Sequence, residues 1–540
     1  VSFYLTAFSA FTFVAYAEIA YRYGLVAVTL TWSAPAAMLA GTMLLAGRWR
    51  RARILSPVEF LEARYSPAIR QVMAWAGLPL KIVDDGLKIY ATGIFVSAGL
   101  GYSLESSVIV SGAVMALYTF MGGIWAVVVT DYIQFVILTL GVVVLFPLVF
   151  VHFSSFEAFA HSLPAGFFDP IRAPFSPLYV VAFYLLVLLS YNGNWAFAQK
   201  FYSVRNEREA RKAGLLATAL KIAGPPLFIL PAMAARTLMP ELLQPPNSPQ
   251  YAYAALSLRF LPAGLMGLMI AAMFSATMST LSGDYNAMAS VLTKDVYQRL
   301  LDRDASPRRL VVVGRLATLA VAIATVGIGV VLVRSASHGL FEVMVTLFGL
   351  FVGPMLIPML AGLLIRRITW RGAAAGIAAG FATGFGFYLY KTLILSHRPG
   401  IDPNWLRYDF EGISILANFG ATIAGILVAT WLERVRDVER VRAAAFFARL
   451  DTPIGQERED AAAVGNFSPF FIMGWITIAT GALLWVAAAI QPPGVGRAIN
   501  IGAGLVLAFI GGGFHHLGRR LAHESPKTPA EMNPDASRTY

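Results

Sequence analysis

No cysteine occurs in this chain of 540 residues. The absence excludes disulfides, thiolate metal sites, iron–sulfur clusters and thiol catalysis together. Charged residues are scarce as well: Asp, Glu, Lys and Arg make up 13% of the chain, whereas a soluble domain carries about 25%. So low a charged fraction excludes an ordinary soluble globular enzyme.

Hydrophobic residues are abundant instead. They form 57% of the chain, and the mean hydropathy is +0.66. They are gathered in segments of about 20 residues, the length that spans the apolar core of a bilayer. We therefore predict an all-α polytopic membrane protein with about fourteen membrane-spanning helices. The predicted spans lie near residues 2–20, 25–47, 73–101, 106–122, 125–151, 177–197, 214–238, 262–295, 309–335, 339–365, 372–395, 412–432, 468–490 and 498–517.

Positive charge is distributed unevenly between the two sides of the predicted membrane. The formal net charge is +12, and most Lys and Arg residues lie in alternate connections between the spans. Because cytoplasmic loops carry the excess of Lys and Arg, this pattern predicts a multi-pass protein of the inner (plasma) membrane with a cytoplasmic C-terminus. A charge that faces the bilayer makes nucleic acid an unexpected partner, and no required protein partner is evident. The basic connections are residues 48–53, 200–212, 294–309, 366–371, 434–449 and the tail from Arg519.

Histidine is placed where it cannot hold a redox centre in the membrane. The seven histidines fall at the ends of the predicted spans or outside them. No pair of them lies in the middle of a span, which disfavours a haem or a transition-metal site. We also expect no organic cofactor.

The predicted span 262–295 contains small and hydroxyl-bearing residues on one face. Ala276, Ser279 and Thr280 are spaced at i, i+3 and i+4, which places them together on a helix. Carbonyl and hydroxyl oxygens at such a face suit a hard alkali cation. Small residues also allow close helix packing, with the hydroxyls bonded back to the preceding turn. The spacing alone favours packing.

Six stretches, in order along residues 1–380, resemble segments of the sodium/solute symporter family. That family includes bacterial proline, pantothenate, sialic acid and sugar symporters. The most informative stretch is MSTLSGDYNAMASVLTKDVYQR at 278–299. The others are FYLTAFSAFTFVAYAEIAYRYG at 3–24, SPVEFLEARYS at 56–66, GGIWAVVVTDYIQ at 122–134, FAQKFYSVRNEREARKAG at 197–214 and GLLIRRITWRGAAAGIAAG at 362–380.

The resemblance implies a core of the LeuT type, in which two groups of five helices form an inverted repeat. The first helix of each repeat, near 2–20 and 177–197, is expected to break in the middle of the membrane. A polar run at 190–194 within an apolar helix supports the second break. The implied parts are a transport core at 1–366 with a further helix expected before Val1, additional membrane helices at 367–517 with a cytoplasmic connection at 434–466, and a disordered cytoplasmic tail at 518–540.

The resemblance also implies a sodium site between the first and eighth core helices. Its ligands would be the Ser279 and Thr280 hydroxyls and the Ala276 carbonyl. Carbonyls of Leu5 and Phe8 would complete it. With the family in view, sodium as the coupling ion is favoured over simple helix packing at this face.

Two aspartates are candidates for the ion pathway. Asp131 stands at the aspartate of the family's TD-x-x-Q segment, which lies on the ion's inward exit route and in some members joins a second sodium site. The alternative for Asp131 is a helix cap or a dipole partner at the cytoplasmic end. Asp284, one turn beyond Thr280, is expected to be a gate residue paired with a lysine or arginine.

Substrate contacts are inferred by position in the family's helices. Thr31 stands where the sugar transporters carry Glu, which argues against a sugar substrate. Asp84 belongs to a run in which Lys81 and Lys88 stand at i−3 and i+4, so mutual ion pairing is the favoured alternative for it. The candidate substrate residues are Ser9, Thr12, Thr31, Asp84, Asn194 and Lys221.

The function that the resemblance implies is sodium-coupled symport of a small organic solute by alternating access, with no covalent chemistry and hence no enzyme. Two alternatives stay open. One is a symporter-like solute sensor, which would need a signalling partner. The other is a proton-coupled or uncoupled carrier of the same fold, which would not need Ser279 and Thr280.

Overall fold

A computed structural model gives the architecture of the chain. The structure describes residues 4, 9–53, 57–121, 124–194, 197–198, 201, 204, 206–244, 247–335, 339–433, 437–453 and 469–524. Helices dominate these residues, and no strand occurs among them.

Every predicted span has a helix at its position. We number these fourteen helices α1 to α14 in chain order. Ten helices in the described part of the chain are individually long and apolar enough to cross a bilayer. The helices are Ala10–Tyr23, Val26–Leu44, Pro67–Leu100, Leu104–Met121, Ile124–Phe150, Pro177–Gly193, Glu207–Leu238, Ala263–Val291, Pro307–Arg334, Leu340–Leu364, Trp370–Leu393, Asp409–Leu432, Pro469–Ile490 and Val495–Glu524.

The remaining four helices are not individually long and apolar enough to cross a bilayer, because of their length or their charged residues. Helix α1 has 14 described residues, and α6 has 17. Helix α3 carries Lys81, Asp84, Asp85 and Lys88 inside an otherwise apolar stretch, and with α4 it forms a pair bent by 116°. Charges in the middle of a span are costly unless they are compensated by neighbours, so α3 needs partners inside the protein.

Local sequence signals set several helix starts. Ser66, Ser176 and Ser306 each accept a hydrogen bond from a backbone N–H of the first turn, and each is followed by proline. A hydroxyl at this position satisfies an otherwise unpaired N–H, and proline at the first helical residue loses nothing because its N–H would be unpaired anyway. Helix α3 ends at Gly101, whose left-handed backbone (φ 72°) favours glycine.

Extended backbone occurs at the two places where helix breaks are expected. Ser9, just before α1, has φ −144° and ψ 172°. Asn194, just after α6, has φ −64° and ψ 136°, and Phe197 is helical again. Helix α1 begins at Ala10, after the extended Ser9, and Tyr4 before it is helical. Leu5 and Phe8 lie outside the described residues.

Helix α1 lies at the centre of the bundle, where it contacts α3, α7, α8 and α10. Helices α13 and α14 pair with each other at the periphery and reach the core through α5 and α8. Helix α14 continues to Glu524, beyond the predicted boundary at 517, so residues 518–524 are helical rather than part of a disordered tail; residues 525–540 lie outside the description. A separate helix, Asp437–Asp451, lies in the predicted connection at 434–466.

Candidate functional site

The three residues predicted to form a sodium-binding face lie on α8. Ala276 is buried, and Ser279 and Thr280 are partly buried. The Thr280 hydroxyl donates to the Ala276 carbonyl at 3.2 Å, which is the back-bonding that small-residue packing also predicts. A hydroxyl that donates its proton keeps its oxygen lone pairs, so this bond leaves Thr280 able to coordinate a cation from the other side.

Thr277 joins this face to α1 and α3. Its hydroxyl donates to the Met273 carbonyl at 3.1 Å, accepts from the Thr92 hydroxyl of α3 at 2.9 Å and accepts from the Ala10 backbone N–H at 3.4 Å. Thr277 is fully buried. The first residue of α1 therefore meets α8 at a position adjacent to Ala276. Sequence reasoning missed Thr277, although a threonine between two apolar residues of the same stretch was a visible signal.

Five charged side chains form a cluster between α3 and α8. Lys88 Nζ lies 2.9 Å from a carboxylate oxygen of Asp84 and 2.9 Å from one of Asp85. Across the interface, Asp284 lies 3.0 Å from Lys81 Nζ and 3.4 Å from Lys88 Nζ. The predicted pairing of Asp284 with a lysine is confirmed, and so is the ion pairing of Asp84. All five side chains are at most 14% exposed.

This ion cluster carries three carboxylates and two ammonium groups. One oxygen from each of Asp84, Asp85 and Asp284 lies within 4.8 Å of the others. Asp85 is fully buried, and its Oδ2 has no hydrogen-bond partner in the described part of the chain. Mutual compensation explains how α3 can carry four charges within the membrane.

A buried cation on α7 lies beside an aromatic ring, and two aromatic rings stack across the break after α6. Lys221 of α7 is buried, and its Nζ lies 5.1 Å from the centre of the Tyr4 ring. On α6, Tyr191 stacks on Phe197 across the break, with ring centres 4.7 Å apart. Asn194 is the partly buried residue at which α6 ends. The buried Lys221 thus lies on α7, and the preceding helix, α6, ends at Asn194.

Three other predicted substrate residues, Ser9, Thr12 and Thr31, lie at the start of α1 and on α2. Ser9 is buried at the start of α1, and its carbonyl accepts from the Thr12 N–H at 3.0 Å. Thr12 is partly buried. Thr31 is buried on α2, and its hydroxyl donates to its own helix at Ala27 and Val28, so its role in the structure as it stands is local.

Asp131 lies on α5, but its side chain is outside the described residues. Its neighbour in the TD-x-x-Q segment, Gln134, is buried, and neither its Oε1 nor its Nε2 finds a hydrogen bond within the description. A buried amide without a partner is uncommon. Gln134 is therefore a candidate for contact with an ion or a solute, which the sequence analysis did not single out although it recognised the motif.

A second polar group lies at the other end of α1. Glu18 pairs with Arg22 at 3.0 Å beside a cavity of about 170 Å³ that is also lined by Gln250 and Glu342. The Tyr408 hydroxyl donates to Glu342 at 3.0 Å. Tyr408, just before α12, is thus joined to α10 by a hydrogen bond, and α1 lines the same cavity.

Two motif stretches that are far apart in sequence meet in space. Arg64, in SPVEFLEARYS, donates to the carbonyls of Gly362, Ile365 and Ile368 in GLLIRRITWRG at 2.9–3.0 Å. The Tyr65 hydroxyl donates to the Pro358 carbonyl at 2.8 Å. An arginine with several donors in a fixed fork suits a turn whose carbonyls converge, so the two stretches form one structural unit.

Comparison with curated proteins finds sodium-coupled transporters. The chain is 28% identical to a sodium/mannose cotransporter of Bos taurus over 323 residues, which are 53% of this chain and 54% of that protein. It is 26% identical to a sodium/sialic acid symporter of Aliivibrio fischeri over 321 residues, which are 57% of this chain and 63% of that protein. The chain therefore spans just over half of the first relative and less than two thirds of the second.

Comparison with solved structures finds the same architecture. A sodium-coupled sialic acid symporter in a substrate-bound, outward-open state superposes with a TM-score of 0.63 over 80% of this chain and 89% of that one, at 20% identity. The similarity confirms the predicted all-α polytopic membrane fold with a LeuT-type core. A sequence model described as the sodium:solute symporter family matches residues 1–380. The chain belongs to the sodium:solute symporter family.

Proposed function

We propose that this chain is a sodium-coupled secondary active symporter, rather than an enzyme, and that it imports a small organic solute by alternating access. The observation that carries the proposal is the meeting of α1 and α8 at Thr277, beside Ala276. A cation held between these two helices would favour one relative arrangement of them. Coupling then follows because sodium binds the two conformational states with different affinity.

The proposed sodium ligands are the hydroxyls of Ser279 and Thr280 and the carbonyls of Ala276, Leu5 and Phe8. Neutral oxygens hold an alkali ion weakly enough to release it in every cycle. The membrane potential supports release towards the inside, since it contributes about 2.3 kcal/mol per charge per 100 mV. Sodium is the only coupling ion in the proposal, and no organic cofactor takes part.

Asp131 and Asp284 are the proposed ion-pathway residues. Asp284 supports this role because it lies one turn beyond Thr280 on α8 and already faces two ammonium groups. A sodium ion leaving the site along α8 would meet a carboxylate whose partners can exchange. Asp131 is proposed from its position in the motif alone.

We infer that the solute carries a carboxylate. The proposed contacts are Ser9, Thr12, Thr31, Asp84, Asn194 and Lys221. Among them, Lys221 supports an anionic solute because its side chain is a cation, buried on α7 with the ammonium group beside the Tyr4 ring, and a lysine so placed can form an ion pair with a solute carboxylate. Asp84 would be a contact only if its pair with Lys88 opens, and Thr31 only if its hydroxyl turns from its own helix.

The protein is proposed to lie in the inner (plasma) membrane. The arginine-rich connections and the C-terminus are proposed to face the cytoplasm. The transport core is proposed to span 1–366. Helices between 367 and 517 would then be additions, joined by the cytoplasmic connection at 434–466.

The experiment that tests this function is uptake by proteoliposomes that contain the purified chain. A panel of radioactive carboxylates and neutral analogues is offered under an inward sodium gradient or an equal potassium gradient. We expect uptake of at least one carboxylate with sodium and none with potassium. Lys221→Met should abolish that uptake, whereas Lys212→Met, which removes an exposed lysine from the same helix, should leave it unchanged.

Equal uptake under both gradients would contradict sodium coupling. A proton gradient then replaces the sodium gradient in the same vesicles, because a proton-coupled carrier of this fold is the alternative. Binding of solute without any uptake would instead favour the sensor.

A further inference from the structure

A cavity of about 890 Å³ opens on the arginine-rich side of the molecule. Its walls are the connection 365–369 between α10 and α11, the end of α12 and the helix Asp437–Asp451. It lies at the edge of the proposed transport core, since Arg64 and Arg366 line it together with residues beyond 366, and no step of the proposed transport cycle uses it.

The lining of this basic cavity is strongly positive. Five arginines face it, against two acidic residues. Both acids are engaged: Glu439 accepts from the Trp370 indole N–H at 2.9 Å, and Asp451 pairs with Arg366. The five arginines are Arg64, Arg366, Arg367, Arg440 and Arg442.

Two of the arginines have structural tasks, and two do not. Arg64 is saturated by the carbonyls of the 362–368 turn, and Arg442 donates to the Tyr65 carbonyl at 2.8 Å. Arg367 and Arg440, by contrast, are exposed, and no ion pair or hydrogen bond to either is found within the described ranges. Both line the cavity as cations for which the described residues supply no bonded counter-charge.

The same cavity has an apolar wall that continues onto the surface of a membrane-spanning helix. Leu427 and Trp431 of α12 line it and are 57% and 83% exposed. Helix α12 is long and apolar enough to cross a bilayer, so side chains this exposed on it can contact lipid. A soluble phosphate would need only the arginines. A phospholipid would use both the arginines and the apolar wall.

We propose that the basic cavity binds an anionic phospholipid of the adjacent leaflet. The headgroup phosphate lies between Arg367 and Arg440, and an acyl chain runs along Leu427 and Trp431. Basic pockets between membrane helices are suited to such headgroups. Because Arg440 belongs to the helix Asp437–Asp451 and Arg367 to the α10–α11 connection, one phosphate would hold these two segments together.

The test measures lipid retained by the purified protein. The protein in detergent is titrated with phosphatidylglycerol or with phosphatidylcholine of the same acyl chains, and bound lipid is counted by native mass spectrometry. We expect phosphatidylglycerol to be retained and phosphatidylcholine not. In Arg367→Gln/Arg440→Gln, retention of phosphatidylglycerol should weaken by about tenfold or more.

Two variants control for charge and folding. Arg303→Gln/Arg308→Gln removes the same charge from exposed arginines that do not line the cavity, and it should retain the lipid as the unchanged protein does. Arg367→Lys/Arg440→Lys keeps both charges and should retain most of it. Equal loss in the two glutamine variants would overturn the proposal, since it would reveal a general charge effect.

A further arm distinguishes the source of the phosphate. Inorganic phosphate and glycerol phosphate are added in excess to the lipid-bound protein. We expect neither to displace phosphatidylglycerol, and we expect Trp431→Ser to weaken lipid retention. Displacement by phosphate alone, with no effect of Trp431→Ser, would overturn the lipid proposal in favour of a soluble anion.

Discussion

The ammonium group of Lys81 on α3 lies 3.0 Å from a carboxylate oxygen of Asp284 on α8. This contact is an interhelical ion pair inside the membrane-spanning part of the bundle. Because Ser279 and Thr280 precede Asp284 on the same helix, the pair fixes the predicted sodium-binding face of α8 against α3. Any movement of α8 in the proposed transport cycle must keep this pair or replace it.

Removal of one partner from this pair should be strongly destabilising. We expect Asp284→Asn to lower the free energy of unfolding by about 3–5 kcal/mol, because Lys81 and Lys88 then lose a buried counter-charge. The measurement is thermal unfolding of the purified protein. Lys81→Met on the Asp284→Asn background should recover part of the loss. Lys212→Met breaks an exposed pair with Glu209 and should cost less than about 1 kcal/mol; an equal loss there would contradict the account.

Thr277 should matter for both stability and ion binding. Thr277→Val keeps the shape of the side chain but removes the hydroxyl that joins Ala10 and Thr92. We expect a loss of about 1–3 kcal/mol, the usual cost of unpaired buried donors, together with weaker sodium binding. Thr318→Val on α9 is the matched control, because among the described residues the Thr318 hydroxyl bonds to its own helix, at Gly314. If both variants bound sodium equally well, the α1–α8 contact would have no part in the site.

Glu62 provides a prediction about pH. It lies in the short helix Pro57–Arg64, outside the membrane spans, and hydrogen bonds from Arg299 and Arg70 lower the pKa of its carboxyl. A lowered pKa in the folded state means that the ionised carboxylate stabilises the fold above the unfolded pKa of about 4.3. That stability is lost as the pH falls through the folded pKa.

The measurement compares the melting temperature of Glu62→Gln with that of the unchanged protein at pH 7 and at pH 4 or below. We expect a clear difference at pH 7 that shrinks at acidic pH. Glu157→Gln, at an exposed glutamate, should show little difference at either pH. A gap for Glu62→Gln that widened on acidification would show that the sign is wrong.

The packing of α2 on α6 depends on a glycine. A Cβ at Gly41 would overlap the Asn192 side chain, whose amide donates to the Ala37 carbonyl at 3.0 Å just before the break in α6. We expect Gly41→Ala to cost about 1–3 kcal/mol, measured by thermal unfolding. Gly267→Ala, where the Cβ would meet open space, should be neutral or slightly stabilising.

Much of the architecture could be predicted from the sequence because a bilayer imposes simple rules. Each apolar segment of about 20 residues became a helix, since only a helix satisfies its own backbone groups in lipid. Pairing of Asp84 with Lys88 followed from a spacing of one helical turn. The polar run that ends at Asn194 predicted a break because polar residues interrupt an otherwise apolar helix there.

The contacts between helices could not be predicted in the same way. The partners of Asp284 are on α3, about two hundred positions earlier in the chain, and no local pattern names them. The bonds of the Thr277 hydroxyl to α1 and α3 could not be predicted either. Gln134 became a candidate only once the structure showed that its side chain is buried. Such relationships depend on how the helices are arranged in three dimensions, which local periodicity does not encode.

We propose that sodium binds between α1 and the Ser279–Thr280 face of α8. The most direct measurement is equilibrium binding of radioactive sodium to the purified protein, beside Ser279→Ala, Thr280→Ala and the control Thr318→Ala. The account predicts saturable binding in the unchanged protein and in the control, and its loss in both α8 variants. Equal binding in all four proteins, or no saturable binding in any of them, would contradict it.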